Sequence, residues 1–272
     1  MEFEIIPRKK FSFGLPELWE YRELFYFFIW RDVKIKYKQT LLGFAWAIFQ
    51  PLFLMLILSL FFRKIIQGAD QTVPYAAFSF SGLILWNVFS NGLSSASNSM
   101  IANTNIIKKI YFPRLIIPFS AVLVALFDFL MAFLVFVGIL IYYGIPVSPF
   151  KLMAFFPVSL LLLLFTTIGL GSLSAALAVK YRDFKYIIPF FIQVLFFVTP
   201  VIYPPGLIEH ELLKKLLFLN PVSSSIDLFR HAFFEMPMNW FGFCLSASIS
   251  VLAFLFGIIY FRRTESYFAD IS

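Results

Sequence analysis

Charge is scarce in this sequence. Only 14% of its 272 residues are Asp, Glu, Lys or Arg, where a soluble domain carries about 25%. A single cysteine, Cys244, excludes an intrachain disulfide and any multi-cysteine metal site. The two histidines, His210 and His231, stand apart with no ligand spacing around them. No phosphate-cradling GxxxxGKS/T loop is present, which removes that route to ATP. HExxH, GxSxG and metal-spaced acidic clusters are missing as well. No cleavable leader is expected, because the first forty residues mix six acidic with eight basic side chains and the first long apolar run starts at Leu41.

What is present is apolar: 61% hydrophobic and 21% aromatic residues. A soluble fold could not hide this excess, since about half of its surface faces water. Bilayer hydrocarbon removes that constraint, so the composition predicts an all-α polytopic membrane protein. A span needs about 20 apolar residues at about 1.5 Å rise each. Six segments qualify: 41–62, 73–93, 116–143, 150–179, 186–203 and 240–261. The second is diluted by Ser79, Ser81, Asn87, Ser90 and Asn91, and the fifth is short and closed by Pro204-Pro205-Gly206.

Lys and Arg give the orientation. With a cytoplasmic N-terminus the inner segments hold sixteen and the outer ones six, so both termini are expected inside. The net charge of +7 is then explained by orientation and anionic lipid, with no nucleic-acid partner.

Two further segments are amphipathic. Residues 15–38 place acids early and bases late, as a helix dipole favours. Trp19, Tyr26, Trp30, Val33 and Tyr37 form one stripe, and Glu20, Glu23, Arg31, Lys34 and Lys38 another, so a helix lying in the membrane interface is predicted. Arg22 and Lys36 fall on the apolar side and Phe27 on the polar side, which calls for a kink near Asp32 or a protein partner. On the outer side, 207–218 and 221–234 read as short helices, the second capped by Asn220. Neither can cross, so a re-entrant pair over 207–234 is expected, with helices lying flat on the surface as the alternative. Asp128 is the one acid deep in a clear span. It is either a functional group or an anchor bonded to a neighbouring helix. Transport topology without an internal energy source implies a partner that supplies the energy.

Four blocks carry a resemblance: "RDVKIKYKQTLLGFAWAIFQPL" (31–52), "KKIYFPRLIIP" (108–118), "YRDFKYIIPFFIQVLFFVTPVIYP" (181–204) and "NPVSSSIDLFRHAFF" (220–234). In order and spacing they resemble the permease subunits of polysaccharide-exporting ABC transporters of the ABC-2 type, which export O-antigen, capsule and teichoic-acid polymers. The resemblance covers almost the whole chain. It implies a homodimer in the cell inner membrane bound to two copies of a separate ATPase, which carries the ATP and Mg. This chain would bind no cofactor or metal and catalyse nothing. The substrate implied is a polysaccharide on polyprenyl pyrophosphate, as in lipopolysaccharide biosynthesis, passing along the dimer interface.

Mapped residue by residue, the resemblance places a coupling helix at 98–109, with Asn98, Asn103, Thr104, Asn105, Lys108 and Lys109. Arg182 and Asp183 are a candidate brace at the same ATPase interface, echoing Arg31-Asp32. Arg31, Lys34, Lys36 and Lys38, beside Leu42 and Gly43, are candidates for the pyrophosphate headgroup and the cytoplasmic gate. Gly43 would permit close packing or a bend. Aromatic faces let sugars slide, and the candidates are Phe44, Trp46, Phe49 and Phe53 on the first span and Phe190, Phe191, Phe196, Phe197 and Tyr203 on the fifth. The alternatives are an ABC-2 permease for a lipid or drug, a membrane enzyme acting on polyprenyl-linked sugars, and a proton-coupled carrier using Asp128.

Overall fold

The computed structural model describes residues 15–38, 43–66, 73–208, 210–234 and 236–265. Among these, helices account for nearly all regular structure and no strand occurs. The chain is an all-α, multi-pass membrane protein. Its elements are α1 (Leu15–Glu20), α2 (Arg22–Lys38), α3 (Ala45–Ile66), α4 (Tyr75–Ala102), α5 (Thr104–Ile107) and α6 (Ile116–Tyr142). They continue with α7 (Pro149–Lys180), α8 (Phe184–Val198), α9 (Glu211–Leu219), α10 (Pro221–Phe234) and α11 (Trp240–Thr264). Four of them, α3, α6, α7 and α11, are long and apolar enough to cross a membrane by length and composition.

The polar dilution of α4 has a packing explanation. This helix is the centre of the molecule and meets α3, α6, α7, α8 and α10. Phe78, Phe80, Leu83, Leu85 and Phe89 are fully buried along it. A helix enclosed by protein has no lipid to satisfy. Its buried serines bond back to their own helix, with Ser79 donating to Tyr75 O (2.8 Å) and Ser81 to Phe78 O (2.7 Å). Helix α8 has 15 residues and is about 22 Å long, after which the chain runs on through Thr199–Tyr203.

Local signals fix the ends. Gly144 (φ +62°) closes α6, where its N–H bonds Ile141 O at 3.1 Å and that of Ile145 bonds Leu140 O at 3.0 Å. This is a Schellman motif, and its left-handed residue favours glycine. Asn220 caps α10 by accepting from Val222 N at 3.0 Å, ahead of Pro221 at the first helical position. Asn239 caps α11 through Gly242 N at 3.1 Å.

Hydroxyls and glycines join α7, α10 and α11, the usual means of helix association in lipid. Ser159 donates to Ser225 O (2.7 Å), Thr166 to Ser250 Oγ (2.9 Å) and Ser246 to Asn220 O (2.7 Å). A Cβ on Gly169 would lie 2.5 Å from Ala253 O. Gly169→Leu is therefore expected to destabilise by about 3 kcal/mol, at the upper end of overpacking costs. Gly138→Leu should be neutral, since nothing lies within 4 Å of that Cβ. Thermal unfolding of the two detergent-purified variants beside wild type checks the contrast.

The interface helix departs from its expected single stripe. The break falls at Tyr21, between α1 and α2, and α2 is continuous through Asp32. Phe28, Val33 and Tyr37 are buried, whereas Trp19, Tyr26 and Trp30 are exposed. The helix has two apolar faces because it has two neighbours. One face packs on α6 and on Phe112, whose ring centroid is 5.6 Å from that of Phe28; the other looks away from the protein.

Candidate functional site

The four basic residues at the end of α2 do not act as one cluster. Successive residues turn by about 100°, so Lys36 points away from Arg31, Lys34 and Lys38. It ion-pairs with Asp128 of α6, whose second oxygen accepts from the Tyr37 hydroxyl. Asp128 is thus an acid at membrane depth with two partners from the interface helix, and its side chain is only 11% exposed. Burial, reinforced by the Asp128 carboxylate, holds the Tyr37 hydroxyl well above the ordinary phenol range.

Arg31 is engaged elsewhere. It pairs with Asp32 at 2.7 Å, donates to Asn103 Oδ1 at 2.8 Å and lies 4.6 Å above the Phe28 ring. Asn103 in turn donates to Ser99 O at 2.8 Å, so Arg31 ties α2 to the C-terminal end of α4. Lys34 and Lys38 remain exposed. Leu42 lies outside the described residues. Gly43 has φ +50° with nothing within 4 Å of an added Cβ, which makes it a bend between α2 and α3 rather than a close contact.

The segment 98–109 is not one helix. Asn98 belongs to α4 and donates to Ser94 O at 3.1 Å. Asn103 sits at the break, and Thr104 and Asn105 belong to α5, a single turn. Lys108, Lys109, Ile110 and Tyr111 follow, all exposed, beside a cavity of about 440 Å³ that Arg114 also lines. Arg114 donates to Glu265 O at 2.6 Å, fastening this loop to the end of α11. Arg182 and Asp183 are exposed just before α8, and among the described residues they form no ion pair. Their likeness to Arg31-Asp32 stops at the sequence.

The aromatic candidates separate. Phe44 just before α3, Trp46, Phe49 and Phe53 on α3, and Phe190, Phe191 and Phe197 on α8 are exposed large apolar side chains. Phe196 packs 5.4 Å from Trp86, and Tyr203 donates to Phe197 O at 3.0 Å. Both of these hold the corner after α8.

Sequence reading missed Arg230. Counted there as an ordinary outer charge, it is 2% exposed and anchors α10 to α4 and to the chain after α8. Its guanidinium donates to Pro200 O (2.6 Å), Val201 O (2.8 Å), Phe78 O (3.2 Å) and Ser81 Oγ (3.4 Å). It also lies 3.5 Å from the Phe78 ring centroid. Gly82 leaves it room, since a Cβ there would be 2.7 Å from Nη2. The available signal was position: Ile226, Arg230 and Phe233 share one face of α10.

The model of the ABC-2 type transporter family matches residues 23–234, from the interface helix to the end of α10. The chain belongs to the ABC-2 type transporter family. Members with curated names agree. The O-antigen export system permease protein RfbA of Myxococcus xanthus is 30% identical over 220 residues, covering 80% of this chain and 83% of its own. The protein of that name from Klebsiella pneumoniae is 27% identical over 241 residues, with 89% and 92% covered. The polysialic acid transport protein KpsM of Escherichia coli is 22% identical over 205 residues, with 74% and 78% covered. Membership in the ABC-2 family makes this chain a membrane domain for transport rather than a catalyst. The Lys36–Asp128 pair and the Arg230 anchor both fall within the matched region.

Proposed function

We propose that this chain is the channel-forming permease of an ATP-driven exporter. It moves an O-antigen-like polysaccharide, linked to polyprenyl pyrophosphate, from the cytoplasm across the inner membrane. One observation carries the reading: among the described residues, two helices, α3 and α8, present rows of exposed aromatic side chains, Trp46, Phe49 and Phe53 on the first and Phe190, Phe191 and Phe197 on the second. A two-fold pair of chains would bring such rows together around a path, and the names of the curated relatives supply the substrate class. In this arrangement α4 and α8 join the four clear spans to make six, with both termini cytoplasmic. Helices α9 and α10 form an outer re-entrant pair.

The chain itself needs no cofactor. ATP and Mg belong to two copies of a separate ATPase, which would seat α5 and the exposed Lys108–Tyr111 loop. Arg182 and Asp183 lie on the same expected face. Lys34 and Lys38 are the cations left to meet a pyrophosphate headgroup, with Arg31 and Lys36 turned to protein partners. The pairing of Asp128 with Lys36 and Tyr37 favours an anchoring role over a proton-coupled carrier.

The test is co-purification of the chain with its candidate ATPase, together with polymer export in cells lacking the native permease. A 2:2 assembly that restores export is expected. Ile107→Pro, which removes the bond from Ile107 N–H to Asn103 O and breaks α5, should abolish both while leaving the chain folded. A folded wild-type chain that binds no ATPase and restores nothing would sink the reading.

A further inference from the structure

Helices α2, α3, α4 and α6 line an open cavity of about 320 Å³, within the size range of small-molecule sites. Its position is unusual for its chemistry. Asp128 lies twelve residues into α6, about 18 Å along the helix axis, so the cavity sits at membrane depth in the half nearest α2. Polar groups at that depth normally face protein or water. Here three primary amides line the cavity: Gln50 of α3 and Asn87 and Asn91 of α4. None of the three side chains has a hydrogen-bond partner among the described residues. Asn87 and Asn91 are half-buried and Gln50 is exposed, so the three amides stand open to the cavity and offer donors and acceptors together to whatever enters it.

The remaining walls narrow the class. Lys36 and Asp128 border the cavity as a closed ion pair, so the site carries no net charge and gives an anion no advantage. A carboxylate offers about four acceptor positions, of which Lys36 and Tyr37 occupy two. Ser94 adds a hydroxyl, and Trp46 stands exposed at the mouth. Amides and a carboxylate suit hydroxyl groups, and an indole face suits the C–H face of a ring.

We infer that this cavity is a binding site for a neutral sugar ring, where the leading residue of the polymer rests before it reaches the aromatic rows of α3 and α8. The inference rests on the export reading above. It separates two jobs on the inner side: Lys34 and Lys38 face the anionic carrier, and the amide cavity takes the sugar.

Thiol protection tests it on the full chain. Cys244→Ser supplies a cysteine-free background, since Cys244 is the sole cysteine of the sequence. Asn91→Cys and Ser94→Cys place a thiol on the cavity wall, the second by a near-isosteric change that keeps all three amides. Asn98→Cys places one on the same helix outside the cavity. In inverted vesicles of the source strain, the rate of reaction with a sulfonated methanethiosulfonate is measured with two probes. One is the strain's own surface polysaccharide, freed from its carrier by mild acid; the other is polyprenyl pyrophosphate alone.

The free polysaccharide should slow both cavity thiols by at least about fivefold, equivalent to ~1 kcal/mol of occupancy, and leave Asn98→Cys unchanged. The lipid alone should slow none. Cavity thiols that never react, that the lipid protects, or that polysaccharide leaves unprotected in vesicles that still export it would each overturn the inference and spare the export reading. Vesicles that neither export nor show protection would overturn both.

Discussion

Arg230→Ala should leave little folded protein in the membrane. The guanidinium fills four hydrogen bonds between α10, α4 and the chain after α8, and it stacks on Phe78. Truncation strands the Pro200 and Val201 carbonyls, both in fully buried residues. Each orphaned acceptor costs about 1–3 kcal/mol, and a desolvated cation–π contact adds about 2 kcal/mol. A loss of at least about 4 kcal/mol is therefore expected, close to the whole stability of a marginal domain. Arg230→Lys should recover only part of it, because an ammonium cannot reproduce the planar fork that reaches carbonyls on two elements at once. Membrane yield and the unfolding temperature in detergent measure both. An Arg230→Ala chain as stable as wild type would mean that α10 is held by its apolar contacts alone.

The second large effect is an asymmetry within one ion pair. Lys36→Met should harm the protein more than Asp128→Asn. Removing Lys36 leaves a carboxylate at membrane depth with only the Tyr37 hydroxyl. Breaking a buried pair costs about 3–5 kcal/mol. The Lys36 side chain is 42% exposed, so water screens part of the pair and about 2 kcal/mol is the expected figure. Asp128→Asn keeps an acceptor for Tyr37 and frees an ammonium that can swing out to the interface. It should cost less than about 1 kcal/mol and leave export running. The double variant should be more stable than Lys36→Met alone, by a coupling that thermal unfolding can read. Simple additivity would show that the pair does not hold α2 against α6. Loss of export from a stable Asp128→Asn chain would instead revive the proton-carrier reading.

Most of the architecture was legible because the bilayer imposes a strong rule: about 20 apolar residues per crossing. Helices α3, α6, α7 and α11 announce themselves in this way. Helix α4 did so weakly, since its surroundings are protein and hydropathy reports only what faces lipid. Asn220 was legible as a cap from its place before Pro221, because capping is local chemistry.

The partners of charged groups were not legible. Lys36 stood out as a misfit on the apolar side of its helix, yet nothing local points to Asp128, 92 residues away. Arg31 and Asn103 are equally remote, 72 residues apart. The two-faced interface helix was read as one-faced because a stripe in sequence does not say whether lipid or protein lies opposite it.

The contact between Arg31 and Asn103 has a thermodynamic consequence. One end lies on α2 beside the exposed Lys34 and Lys38, and the other is at the turn that opens into α5. Any ligand that draws Arg31 away releases Asn103, and anything that repositions Asn103 frees Arg31. Linkage makes such effects equal in both directions. Whatever factor an anion at α2 applies to docking at α5, docking at α5 must return to that anion's affinity. A single 2.8 Å hydrogen bond thus makes these two surfaces answerable to each other.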